Sequence, residues 1–501
     1  MPTSSSAPTD LWLRGVAANP GAPADVLLRM LDPAAGGARR IVCEERCLPS
    51  EVVDALVTHP ETELRRSLAR NPHVTPAQRG RLVRDPHSLV RAGLAGGPHP
   101  RPRQVLALPD DVLITLLTAE DSGERVLLRV GEIVQELVFS HQMTPSFRYR
   151  MRGHEHPAVR STATGVWGRL TAEERQALLT DPHPDVREEA EHRVRAADPA
   201  AMEADIPERG HYRGLILSSC ALSGAVVAEA MADPEDRLTI ARNPYTPADA
   251  VARLARDTDP RVRRRVASRA DLDPALWAEL AQDPDESVRT RARVQPLPRT
   301  TAACRAVDHE LDVAASRDGD CLCPILEHHA EPDPDWYRAC AASEDVLLRL
   351  AAASCATLPA DLVARLAEDP REEVRHRLAS WHPLAPAEAV LEAFVARPLQ
   401  RPHLRMQSRL PRTGLARLLD HEDPEVRELA AADPTLGQAP VRLLTDPDER
   451  VRRAAAGNPL FAGEAVEALL HDPATAEGAA ANPGLPAARL HELLDRAGVP
   501  R

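Results

Sequence analysis

Asp446-Pro447-Asp448-Glu449-Arg450-Val451-Arg452, followed by Asn458-Pro459, is one copy of a clause that returns along the chain. Asp257 and Asp283 open successive copies 26 residues apart, and His59 to Asp85 and Asp446 to Asp472 keep the same step. A second clause pairs Asn-Pro with a further Pro, at Asn71-Pro72, Asn243-Pro244 and Asn482-Pro483. A fixed period of this size marks an array of small supersecondary units, each stabilised by stacking on its neighbours.

The copy from His59 to Asp85 predicts two short helices. Leu64, Leu68 and Ala69 fall at helical spacing, and Asn71-Pro72 ends the run. Asn is expected in the left-handed conformation there, with Pro blocking continuation. Thr75 then reads as an N-cap with Pro76 at the first helical position, and Leu82 and Val83 follow before Asp85-Pro86. On this reading the clause Asp caps the next helix. Neither piece is long enough to persist alone in water.

The pattern resembles the leucine-rich repeat variant family, whose units run Asp-Pro-x-x-x-Val-Arg, small apolar residues, Asn-Pro-x-x-Pro, then Leu-x-x-Leu. Clear copies cover 57–95, 181–192, 233–293, 344–395 and 420–495, and the resemblance extends over about three quarters of the chain. It implies an all-α, right-handed α-solenoid of about 24–26-residue repeats, related to HEAT and armadillo arrays. Its α-helices would alternate with short 3-10 helices. Some family members carry a cysteine-ligated iron–sulfur cluster in a separate segment. The expected division is N-terminal repeats over 1–95, degenerate helical repeats over 96–156 and central repeats over 157–293. A Cys-rich insertion at 294–340 and C-terminal repeats over 341–501 complete it.

Composition agrees with stacked short helices. Aromatics are 3% of the 501 residues, so Leu, Val and Ala must build the core, and the 47 Pro fall as periodic punctuation. All 62 basic residues are Arg, as a GC-rich coding bias would produce. A net charge of −13 argues against a general nucleic-acid coat. Met1-Pro2-Thr3-Ser4-Ser5-Ser6 lacks the basic and apolar regions of a secretion signal. Val112 to Phe139 is too often interrupted by charge to span a bilayer. A cytoplasmic location without membrane association is expected, with the eight Cys reduced or metal-bound.

Two constellations bear on chemistry. Arg65, Arg91, Arg187, Arg263, Arg289, Arg375, Arg427 and Arg452 recur at one phase and form an expected ladder. The motif supplies Asp85, Asp283 and Asp446 with them, so structural ion pairs are favoured over a phosphate-gripping stripe. Further Arg at Arg148, Arg150, Arg152, Arg261, Arg264 and Arg265 leave room for local anion sites. Cys304, Cys321, Cys323 and Cys340 follow C-x16-C-x-C-x16-C where the repeat lapses. They could ligate Zn²⁺ or an iron–sulfur cluster, although the spacing is not the usual paired C-x2-C. The competing reading is reduced, buried thiols, and Cys340 stands where a core Ala would pack. Cys220 and Cys355 read as occupying the Pro position of the Asn-Pro clause; Cys43 and Cys47 form a lone C-x3-C on a helix.

His59, His87, His183, His382 and His471 sit at inter-repeat turns, and no nucleophile-elbow, P-loop, HExxH or dinucleotide motif is present. The leading expectation is therefore a non-catalytic scaffold for an unidentified protein or peptide, with no cofactor required. A redox-linked protein using the 304–340 cysteines is the alternative. Nucleic-acid binding along an Arg face, with base-repair chemistry, is the second alternative.

Overall fold

The computed structural model describes residues 8–102, 105–119, 130–269, 271–297 and 334–501. The described residues are all-helical, without a strand, and none of their helices is long and apolar enough to cross a membrane. Two compact units emerge: Met1–Met143 together with Val390–Arg501, and Thr144–Ala389.

Most repeats contain two α-helices, as in Pro260–Ala267 followed by Pro274–Leu280. The expected alternation with 3-10 helices is local only. It appears where little chain separates the punctuation, as in Val441–Thr445 between Pro440 and Asp446. Elsewhere a second-clause Pro, as at Pro359, leaves enough residues for an eight-residue α-helix, Ala360–Ala367.

The clause Val is the core peg. Val90, Val186, Val262, Val288, Val374, Val426 and Val451 are all 0% exposed, beside small residues such as Ala69, Ala267, Ala430 and Ala455. In the Thr144–Ala389 unit Val262 and Val288 join an apolar cluster running from Met202 to Ala292, and Val186 joins another with Leu170 and Leu178. A stiff β-branched peg against Ala lets helix axes approach closely, which offsets the shortness of each helix.

Thr75 caps Pro76–Gly80 as expected, but the helices after the clause Asp start two residues later than expected. The clause Asp is not the N-cap. Asp446 Oδ1 accepts from the Asp448 N–H at 2.9 Å, an Asx turn. Asp448 then accepts from the Arg450 N–H at 2.8 Å and caps Glu449–Ala456. His87 and His183 take the capping role in their repeats through Nδ1, accepting from Leu89 and Asp185 at 3.2 and 3.3 Å. That nitrogen must be unprotonated to accept.

Candidate functional site

Polar groups inside the repeats form two repeating sets of bonds. The first links Arg and Asp across neighbouring repeats. Arg263 Nε and Nη2 meet Asp283 Oδ2 and Oδ1 at 2.7 and 2.8 Å. Arg65 makes the same fork onto Asp85 at 2.6 and 3.1 Å, and Arg427 onto Asp446 at 2.9 and 3.0 Å. The remaining Nη1 donates backward within its own repeat, from Arg263 to the Asp257 carbonyl at 2.8 Å. Such a planar fork suits Arg and not Lys.

The other ladder members share the backward bond. Arg91, Arg187, Arg289, Arg375 and Arg452 donate to the carbonyls of Asp85, Asp181, Asp283, Asp369 and Asp446 at 2.5 to 2.8 Å. Twenty residues beyond Arg187 stands Pro207, so no carboxylate occupies the fork position there. Three further arginines outside the expected set also pair with a clause Asp: Arg160, which follows Val159, and Arg237 and Arg349, which lack the preceding Val. Arg160 pairs with Asp181 at 2.7 Å, Arg237 with Asp257 at 2.8 Å and Arg349 with Asp369 at 2.7 Å. The signal for Arg237 and Arg349 was an Arg 20 residues before the next clause Asp.

Electrostatics follow this geometry. The Arg160 guanidinium holds the Asp181 carboxyl below its ordinary value against the opposing effect of burial, and Arg427 does the same for Asp446. Their hydrogen-bonding partners correspondingly raise Arg160 and Arg427. The additional arginines are also engaged: Arg261 pairs with Asp259 at 2.8 Å and Arg152 with Glu174 at 2.6 Å. Arg148 donates to the Thr162 carbonyl at 2.9 Å.

The second set was missed as bonding, because Asn was read only as a helix stop. Asn71 lies at φ −66°, ψ 120°, extended and not left-handed. Its Nδ2 donates to the carbonyls of Cys43 and Arg46 at 2.7 and 3.2 Å, while Oδ1 accepts from the His73 N–H at 2.7 Å. Asn243 does likewise onto Leu217 and Cys220, and Asn458 onto Ala431 and Asp433. Each of these amides is 0% exposed. They satisfy the orphan carbonyls that end the preceding repeat's helix. Where Asn is absent another amide can serve: Gln142 donates to Leu94 and Ala95 at 2.8 and 3.0 Å, extending this bonding into the degenerate stretch.

Cys355 corrects the reading of its clause. Its carbonyl accepts from the Leu358 N–H, as Asn243 accepts from Thr246, so it stands at the Asn position and not the Pro position. Cys220 likewise presents its carbonyl to the next repeat's Asn243, as Asp433 does to Asn458. Burial pushes the Cys355 thiol up to about 12. Cys43 is also raised to about 12, by burial and then by Glu44, whereas Cys47 is exposed beyond the end of the same helix. Cys340 is 0% exposed in the helix Pro334–Ala341, while Cys304, Cys321 and Cys323 lie outside the described residues. Among the described residues no group of three or more His, Cys, Asp or Glu is arranged to hold a metal ion.

No protein-family model matches the chain, and no curated protein matches it.

Proposed function

We propose that the chain is a non-catalytic α-solenoid scaffold of the leucine-rich repeat variant type, presenting its outer side chains to a protein or peptide partner in the cytoplasm. One observation carries the reading: its recurrent charged and amide groups are spent on bonds within and between repeats. Arg263 illustrates it, with Nε, Nη1 and Nη2 each engaged by Asp283 or the Asp257 carbonyl. A guanidinium whose charge is met by Asp283 and whose three nitrogens all donate inward is poorly placed to grip a phosphate backbone, and a buried, raised thiol such as Cys355 is a poor nucleophile. Repeat arrays of this kind function through extended surfaces.

The test uses the full chain purified under argon. Affinity capture with quantitative binding should yield a saturable protein or peptide partner, with metal content below stoichiometric. Stoichiometric iron or zinc that is lost on Cys321→Ser and Cys323→Ser would replace this reading with the metal-linked one. Demonstrated turnover without a specific partner would overturn it as well.

A further inference from the structure

The Asn clause has one more copy, Asn19-Pro20-Gly21-Ala22-Pro23. Asn19 is 0% exposed, and its Nδ2 donates to the carbonyls of Ala480 and Asn482 at 3.1 and 2.8 Å. Its Oδ1 accepts from the Gly21 N–H at 2.8 Å. Asn482 makes the same bonds onto Asn458 and Phe461 at 2.9 and 3.1 Å. Onward from Asn19, Arg46 donates to the carbonyls of Ala17 and Asn19 at 2.8 and 3.0 Å, and Asn71 returns to Cys43 and Arg46. The row of bolts therefore passes through 458, 482, 19, 46 and 71 while the residue numbering resets.

Packing at this junction is as close as at an internal repeat boundary. A Cβ on Gly15 would run into the Glu477 carbonyl oxygen, so the helix Pro8–Ala18 needs glycine there to seat on Ala476–Ala480. Gly478 meets the Arg453 carbonyl in the same way one step earlier. Val16, Ala17, Ala476 and Ala479 are all 0% exposed. Trp12 Nε1 donates to the Leu470 carbonyl at 2.8 Å. Arg29 reaches Asp495 Oδ1 at 2.5 Å and the carbonyls of Val499 and Pro500 at 2.7 and 2.9 Å. His491 meets Asp25 at 3.0 Å.

We propose that residues 8–31 are an intramolecular latch: they act as the next repeat after Ala487–Arg496 and cap the C-terminal repeats, so that these repeats hold their structure only with the latch seated. Repeat arrays require caps because a terminal unit otherwise exposes its stacking face. Here that face is covered by the opposite end of the same chain.

Hydrogen exchange on the full-length protein tests the dependence. Gly15→Val should speed amide exchange on the order of tenfold or more in Glu464–His471 and Ala487–Arg496, leaving the Thr144–Ala389 unit unchanged. Gly37→Ala, where a Cβ meets nothing within 4 Å, is the control and should change neither. Unchanged exchange in 464–496 on Gly15→Val would overturn the latch.

Should Gly15→Val not fold, proximity is read directly from Gly21→Cys with Pro483→Cys, since a Cβ on Gly21 would lie 3.3 Å from the Pro483 Cα. Mild oxidation should join the 21- and 483-containing peptides within a monomer, with the loss of two hydrogens to the added oxidant. No such linkage, or linkage found only between two molecules, would overturn the proposal.

Discussion

At the scale of single residues, the clause Asp is the most heavily used group in the repeat. Asp283 accepts a two-pronged Arg263, its Oδ1 also accepts from the Asp285 N–H at 2.8 Å, and its carbonyl accepts from Arg289. Asp181 and Asp446 show the pH consequence. Their folded pKa values are lowered from 3.8, so the stability they add is fully present above that value and is lost as pH falls through the depressed one. An acid titration followed by circular dichroism should therefore show helix loss beginning below pH 3.8, and Asp446→Asn should weaken that dependence. Asn243 is the other decisive residue. Asn243→Ala strands the Leu217 and Cys220 carbonyls and the Tyr245 N–H, and should cost about 2–3 kcal/mol in denaturant unfolding. Asn243→Asp retains the acceptor for Tyr245 but loses both donated bonds, so it should recover little of that loss.

At the scale of the element, glycine placement separates helices that must touch from helices that need not. Gly478 packs against the backbone of Arg453, so Gly478→Ala should force Ala476–Ala480 away from Glu449–Ala456. The expected cost is about 1–3 kcal/mol, read as a lower thermal midpoint. Gly214, within His211–Ser219, has nothing within 4 Å of a built Cβ, so Gly214→Ala should be neutral or slightly stabilising. Helix boundaries were legible to within a turn from Pro and the capping residues. The two-residue offset of the N-cap was not, because Asp446 and Asp448 are both good caps by type. Only the backbone path shows that the first makes the turn and the second starts the helix.

At the scale of the whole molecule, a net charge of −13 and the internal use of its arginines predict no retarded complex with random-sequence DNA at physiological salt in a gel-shift titration. A salt-sensitive shift would show a basic face that the internal bonds leave open. The amino-acid sequence by itself determined the helical class, the repeat step and the apolar peg at each clause Val, because these follow from local spacing, caps and proline. It also held the Asn19-Pro20 clause in plain view. Only the tertiary structure decided which carboxylate each Arg takes, that Asn bolts one repeat to the carbonyls of the one before, and that the chain's two ends continue a single stack. Those choices depend on which orphan carbonyls and carboxylates the neighbouring repeat presents across the interface. That is a property of helices in contact, and no single repeat encodes it.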